Sequence, residues 1–128
     1  MVVAAIFTTC VKTCPLVVED LRALSARLPR LHVVLVTLTP DVDTEEVLAA
    51  YKQEHALPGS WTLLRGSESA LQDVTDVLDM HTLRMDAHVF HDSKVAIVGA
   101  RGELVLVGPS DELVRDPDRV AALVKVAD

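Results

Sequence analysis

A continuous apolar run, residues 2–7, and a second run rich in β-formers, residues 31–38, bracket a stretch of helical periodicity, and a cysteine pair sits at the first junction. A run of β-formers that is apolar at every position has no solvent face, so residues 2–7 read as a central strand buried on both sides of a sheet. Residues 31–38, apolar apart from His32 and Thr37, read as another buried strand. Between them, Val17, Leu21, Leu24 and Leu28 recur at the spacing of one helix face, which predicts a helix over 16–28. Pro15 suits the first turn of that helix, where its missing N–H costs nothing, and Pro29 ends it. Strand, helix and strand in this order form a β-α-β unit with parallel strands and a right-handed crossover.

The remainder completes a mixed sheet. Pro40-Asp41-Val42-Asp43 reads as a turn. Thr44 follows as the N-cap of a helix running to about His55, with Glu45 and Glu46 at its positive end. Leu57-Pro58-Gly59-Ser60 breaks that helix, and residues 61–64 form a short strand. Ser67 caps a third helix with Ala70, Leu71, Val74, Val77 and Leu78 on one face. Residues 94–98 and 103–107 read as two strands joined by a turn at 99–102. Asp116-Pro117 starts the last helix, 118–126. No repeat, linker or low-complexity stretch interrupts residues 1–128, so a single domain is expected. A parallel β-α-β half, an antiparallel hairpin, helices on both faces and a cysteine pair after the first strand describe an α/β, thioredoxin-like core.

Composition narrows the function classes. The net charge is −7 over 128 residues, and no basic cluster occurs. Nucleic acid and anionic membrane surfaces are thereby disfavoured, because phosphate binding needs Lys and Arg. No segment approaches the roughly 18 apolar residues of a membrane span. Residues 1–7 lack a charged start and a small-residue cleavage site, so they read as a strand rather than a signal peptide. Two neighbouring cysteines are too few for a disulfide framework. A local pair is instead a redox couple or part of a metal site.

Cys10 and Cys14 run from a strand end to a helix start, with Lys12 between them. Free N–H groups and the helix dipole at such a junction stabilise a thiolate, which is both nucleophile and metal ligand. Residues separated by three others can meet within disulfide range if Cys10 folds back from the loop. Thioredoxins separate their cysteines by two residues, and the longer gap here opens room for a metal. Among the histidines, His32 and His55 read as structural or solvated. His81, His88 and His91 fall between the third helix and the hairpin. In a thioredoxin-like core, the loop entering the hairpin packs beside the cysteine pair. Two thiolates and one imidazole form a soft set suited to Cu(I), and with an added oxygen to Cu(II). Zinc could use the same trio, but an open fourth position would imply catalysis, for which no general base stands out. Spacing alone does not separate His88 from His91.

The chain resembles the SCO/SenC family of copper chaperones. Thr9-Cys10-Val11-Lys12-Thr13-Cys14-Pro15 resembles the family's Cys-x-x-x-Cys-Pro motif. Leu38-Thr39-Pro40-Asp41-Val42-Asp43-Thr44 and the helix after it resemble the family's Val-Asp-Pro-Glu-Arg-Asp-Thr stretch. Residues 59–67 match its Trp-containing segment, and His91, eight residues before Gly99, stands where the family places a metal-ligand histidine. The resemblance implies copper bound by Cys10, Cys14 and His91. It also implies a role in assembling the dinuclear copper site of cytochrome c oxidase, with that copper-site subunit or another cupro- or thiol protein as partner. The alternative it carries is a thiol–disulfide oxidoreductase in which Cys10 attacks and Cys14 resolves. The family is tethered to a membrane and faces the periplasm or the mitochondrial intermembrane space. A chain starting at Met1 with neither anchor nor leader would be cytoplasmic. Three departures stand out. Thr39 replaces an acidic residue, Asp92-Ser93-Lys94 is more polar than the family's strand, and the family's anchor and first strands have no counterpart here.

Overall fold

A computed structural model describes residues 1–6, 8, 13–77, 82–85, 88–91, 94–99 and 101–126. For residues 13–15, 75, 77, 82–85, 88–91, 94, 125 and 126 it describes the backbone. The order is β1 (Val2–Ile6), α1 (Thr13–Arg27), β2 (Val33–Thr37), α2 (Glu45–Glu54), β3 (Trp61–Leu64) and α3 (Glu68–Val77). It continues with β4 (Thr82–Met85), β5 (His88–His91), β6 (Lys94–Val98), β7 (Leu104–Pro109), α4 (Ser110–Arg115) and α5 (Pro117–Val126).

The main sheet has the order β3-β2-β1-β6-β7. β1 pairs in parallel with β2, and β2 with β3, while β6 runs antiparallel to both β1 and β7. This is the mixed sheet of a thioredoxin-like core, as the apolar runs predicted. β1 is central: Val2 pairs with Val33 on one side and with Ile97 on the other. Its consecutive residues Ala4, Ala5 and Ile6 are no more than 2% exposed. Neighbours along a strand face opposite ways, so both faces of β1 are covered. That is why the sequence here carries no polar alternation.

α1 contributes Val17, Val18, Leu21 and Leu24 to the core, α5 contributes Val120 and α4 contributes Leu113. Leu71 and Val74 of α3 pack half-buried against the same core. Ser67 caps α3 through its hydroxyl, which accepts from Ala70 N–H at 3.2 Å, and Thr44 caps α2 by accepting from Val47 N–H at 3.3 Å. Gly102, with φ of 81°, makes the turn between β6 and β7, a conformation that costs a β-carbon dearly.

Two contacts tie the edge strand β3 and the end of α2 to α1. Trp61, 1% exposed, donates its indole N–H to Ser25 Oγ at 3.0 Å. Arg22 donates to the carbonyls of His55, at 2.6 Å, and Ala56, at 3.3 Å. A cation on the carbonyls beyond a helix C-terminus is favourably placed. α2 ends in a Schellman motif, in which Leu57 N–H bonds Lys52 O at 3.0 Å and Ala56 N–H bonds Gln53 O at 3.1 Å. The pivot, Ala56, sits at φ of 49°, the left-handed region that favours glycine.

Three features differ from the sequence reading. α1 begins at Thr13 rather than residue 16, so the helix starts one residue before Cys14. The stretch 82–91 contains a two-stranded antiparallel sheet where a loop was expected. Its four-residue strands mix Thr82, Arg84 and His88 with apolar residues, and Asp86-Ala87 between them lacks a glycine turn mark. β7 runs on to Pro109, and the short α4 follows directly. The helix face read from the sequence for α3 includes Leu78, which lies outside the described residues.

Replacing Ser25 by Ala strands the buried indole N–H. It should lower stability by about 1–3 kcal/mol, read as a lower midpoint in chemical denaturation followed by the fluorescence of Trp61, the sole tryptophan. Ala56→Gly should raise stability by about 1 kcal/mol, because glycine adopts the left-handed pivot without strain. An unchanged or lower midpoint in that variant would mean that the pivot is not strained.

Candidate metal centre

The carboxyl ends of β1 and β2 open on one edge of the sheet. Ile6 and Thr37, their last residues, are paired, and Leu38 N–H continues the ladder to Ile6 O at 2.7 Å. β6 runs the other way and starts at the same edge, since Val95 pairs with Ala4. The chain leaves β1 toward β2 on one side and returns as β6 on the other. Open α/β sheets bind ligands beyond the carboxyl ends of strands at such a switch point.

The residues singled out in the sequence attach to this edge by chain path. Cys10 belongs to residues 9–12, between β1 and α1, and lies outside the described residues, as does Lys12. Cys14 is the second residue of α1, so its backbone stands in the first helical turn. There the unpaired N–H groups and the dipole favour negative charge. His91 closes β5, three residues before Lys94 opens β6. Three residues reach at most about 11 Å, so the His91 backbone stays near the edge where β1 ends. His81 lies outside the described residues.

The ladder register distinguishes two histidines that spacing could not. Thr82 pairs with His91, Arg84 with Val89 and Met85 with His88. Positions 88 and 91 are three apart along one strand, so they fall on opposite faces of the ladder. Position 91 shares its face with 82, 84 and 89. The other two histidines are accounted for structurally. The exposed His32 ring lies 3.1 Å from Thr62 Oγ1, and His55 caps α2 with its ring 4.2 Å from that of Tyr51.

Sequence reasoning missed a buried carboxylate at the same edge. Asp43 is 0% exposed. Its Oδ2 accepts from Thr8 N–H at 3.0 Å, Thr37 Oγ1 at 2.6 Å and Thr39 Oγ1 at 3.0 Å, and its Oδ1 accepts from Thr8 Oγ1. A carboxylate withdrawn from water must be met by donors, and these bonds to a charged acceptor are the strong kind. The turn expected at residues 40–43 supplies the geometry: Val42 and Asp43 N–H both bond Thr39 O, at 3.0 and 2.8 Å. Thr39 is itself buried and donates to Asp43. The signal available in the sequence was three threonines at strand ends facing one aspartate before a helix cap. Nothing in their spacing marks them as partners.

Among the described residues, no group of three or more His, Cys, Asp or Glu is arranged to hold a metal ion. No helix among them is long and apolar enough to cross a membrane.

Comparison with known proteins identifies this architecture. No curated protein matches the chain. Solved structures do. A SCO1/SenC family lipoprotein from Bacillus anthracis is 22% identical with a TM-score of 0.74, covering 94% of this chain and 80% of its own. Arabidopsis thaliana ScoI with copper bound is 18% identical with a TM-score of 0.80, covering 98% of this chain and 83% of its own. Yeast Sco1 with copper bound is 18% identical with a TM-score of 0.76, covering 97% and 75%. At these identities the likeness is one of fold. The SCO1/SenC family model matches residues 1–127, nearly the whole sequence. The chain belongs to the SCO1/SenC family.

Proposed function

We propose that this chain is a copper-binding metallochaperone, acting as one domain over residues 1–128, with Cys10, Cys14 and His91 as its ligands. The observation that carries the reading is the family match over residues 1–127 in a chain that keeps both cysteines and the histidine. The copper-bound state of the Arabidopsis and yeast neighbours supports it. Copper here is cargo. Two thiolates and an imidazole satisfy Cu(I) without filling a fourth position, which leaves an opening for an incoming ligand. A recipient thiolate can then displace one donor at a time, so the ion changes hands without being released to water. We take the recipient to be the dinuclear copper site of cytochrome c oxidase, and the compartment to be the one that faces it, outside the cytoplasm.

A second reading rests on the backbone position of Cys14 in the first turn of α1. A thiolate stabilised there suits thiol–disulfide exchange. The Cys10 thiolate would attack a partner disulfide, breaking its S–S bond and forming a mixed disulfide. The Cys14 thiolate would then displace the partner thiolate. Two electrons pass to the partner, and this chain is left with the Cys10–Cys14 disulfide.

Cu(I) competition with a chromogenic chelator tests the first reading on the fully reduced protein. One-to-one binding is expected, with affinity falling at least about tenfold in His91→Ala, as loss of a ligand implies. Equal affinity in the two proteins would remove His91 from the site. Disulfide reduction by His91→Ala separates the two activities. Retention at the native rate is expected if the thiols alone perform exchange, and loss of it would tie the redox chemistry to the metal ligand.

A further inference from the structure

We propose that Asp43 is the positioning residue of the Cys10–Cys14 loop, and that it acts through Thr8. The proposal rests on the reading of the two cysteines as the functional pair. The loop leaves β1 after Ile6 and joins α1 at Thr13. Its far end is fixed by the helix. Its near end is fixed by Thr8, two residues before Cys10, and Thr8 is held by two bonds to one carboxylate. The Thr8 N–H donates to Oδ2 at 3.0 Å and its hydroxyl donates to Oδ1. One bond would locate Thr8. Two bonds to different oxygens of a rigid planar group also set the orientation of Thr8, the last described residue before Cys10.

The anchor is itself tied to the sheet. Asp43 N–H is bonded to Thr39 O at 2.8 Å, and its Oδ2 is bonded by Thr37 and Thr39. Thr37 is the last residue of β2, paired with Ile6 of β1. Thr39 N–H donates to Thr37 Oγ1 at 3.0 Å. The carboxylate is thus referenced to the two central strands, whose core is fully buried. Position is transmitted from sheet to Thr37 and Thr39, from these to Asp43, and from Asp43 to Thr8. Outer partners of this kind orient the groups that bind, and removing one costs affinity although no ligand is lost. A carboxylate serving only as a staple between β1 and the turn would need one bond to Thr8. The second bond is what a positioning role requires.

The test compares three full-length variants with the native chain. Thr8→Val deletes the hydroxyl hook, Thr8→Ser keeps it, and Ser25→Ala lowers stability at a site without a bond to Asp43. Each is measured for Cu(I) affinity, for the equilibrium constant of Cys10–Cys14 disulfide exchange with glutathione, and for thermal midpoint. Thr8→Val is expected to lower Cu(I) affinity about tenfold or more and to shift the exchange constant by a similar factor. Thr8→Ser should restore both, and Ser25→Ala should lower the midpoint with both constants within about twofold of native. The proposal is overturned if Thr8→Val moves only the midpoint, or if Ser25→Ala moves the thiol constants as much as Thr8→Val does. A native chain that forms the disulfide but binds no Cu(I) retires the copper reading alone, and the exchange constants then decide for or against Asp43. A chain that does neither overturns both.

Discussion

Everything in this fold is arranged around the two-sided pairing of β1. A strand bonded to β2 on one side and β6 on the other has no free backbone edge, and four of its five residues are buried. Only its end can carry chemistry. The parallel partner β2 finishes at the same level, and the antiparallel partner β6 begins there. The described ends of all three strands therefore lie at one edge. The segment that follows β1, the turn at residues 40–43 and the segment that precedes β6 thus attach to one edge because of strand direction, although they are far apart in sequence.

At that edge the chain buries a charge rather than an apolar side chain. Replacing a buried ionic group by packed hydrophobic residues is often neutral or stabilising, so stability by itself does not account for Asp43. What the carboxylate provides is direction. Four donors from three threonines meet its two oxygens, and each donor lies at the end of a strand or in the loop beyond it. Apolar contacts would fill the same volume without fixing the orientation of Thr8. Thr39 fits the same logic. Its hydroxyl gives Asp43 a donor at a distance of 3.0 Å, where a second carboxylate would give repulsion.

The sequence was most legible where a single physical demand shapes many consecutive residues. β1 and β2 could be read because burial in the middle of the sheet favours long runs of apolar β-formers. α2 and α3 could be read because Thr44 and Ser67 supply their caps. The small sheet of β4 and β5 was not legible, because short strands with mixed composition satisfy neither the alternating nor the continuous pattern. Nor was α4, six residues long and following directly on Pro109. The cysteine pair stands out by chemistry and His91 only by resemblance, whereas the bond from Thr8 to Asp43 spans 35 positions and leaves no periodic trace. His88 and His91 show the same limit, since only the pairing register assigns them to different faces.

Low identity to structures of such similar shape follows from the same division. An aliphatic core accepts many substitutions if volume and pattern are kept, so a sheet of Val, Leu, Ile and Ala can drift widely without changing its outline. The edge above β1 has no such freedom. A thiolate pair cannot change spacing without changing what fits between the sulfurs. A carboxylate that is met by four donors cannot be exchanged for an apolar group without stranding them. At 18% identity and a TM-score of 0.80, the outline shared with the Arabidopsis structure reflects the tolerant part of the molecule.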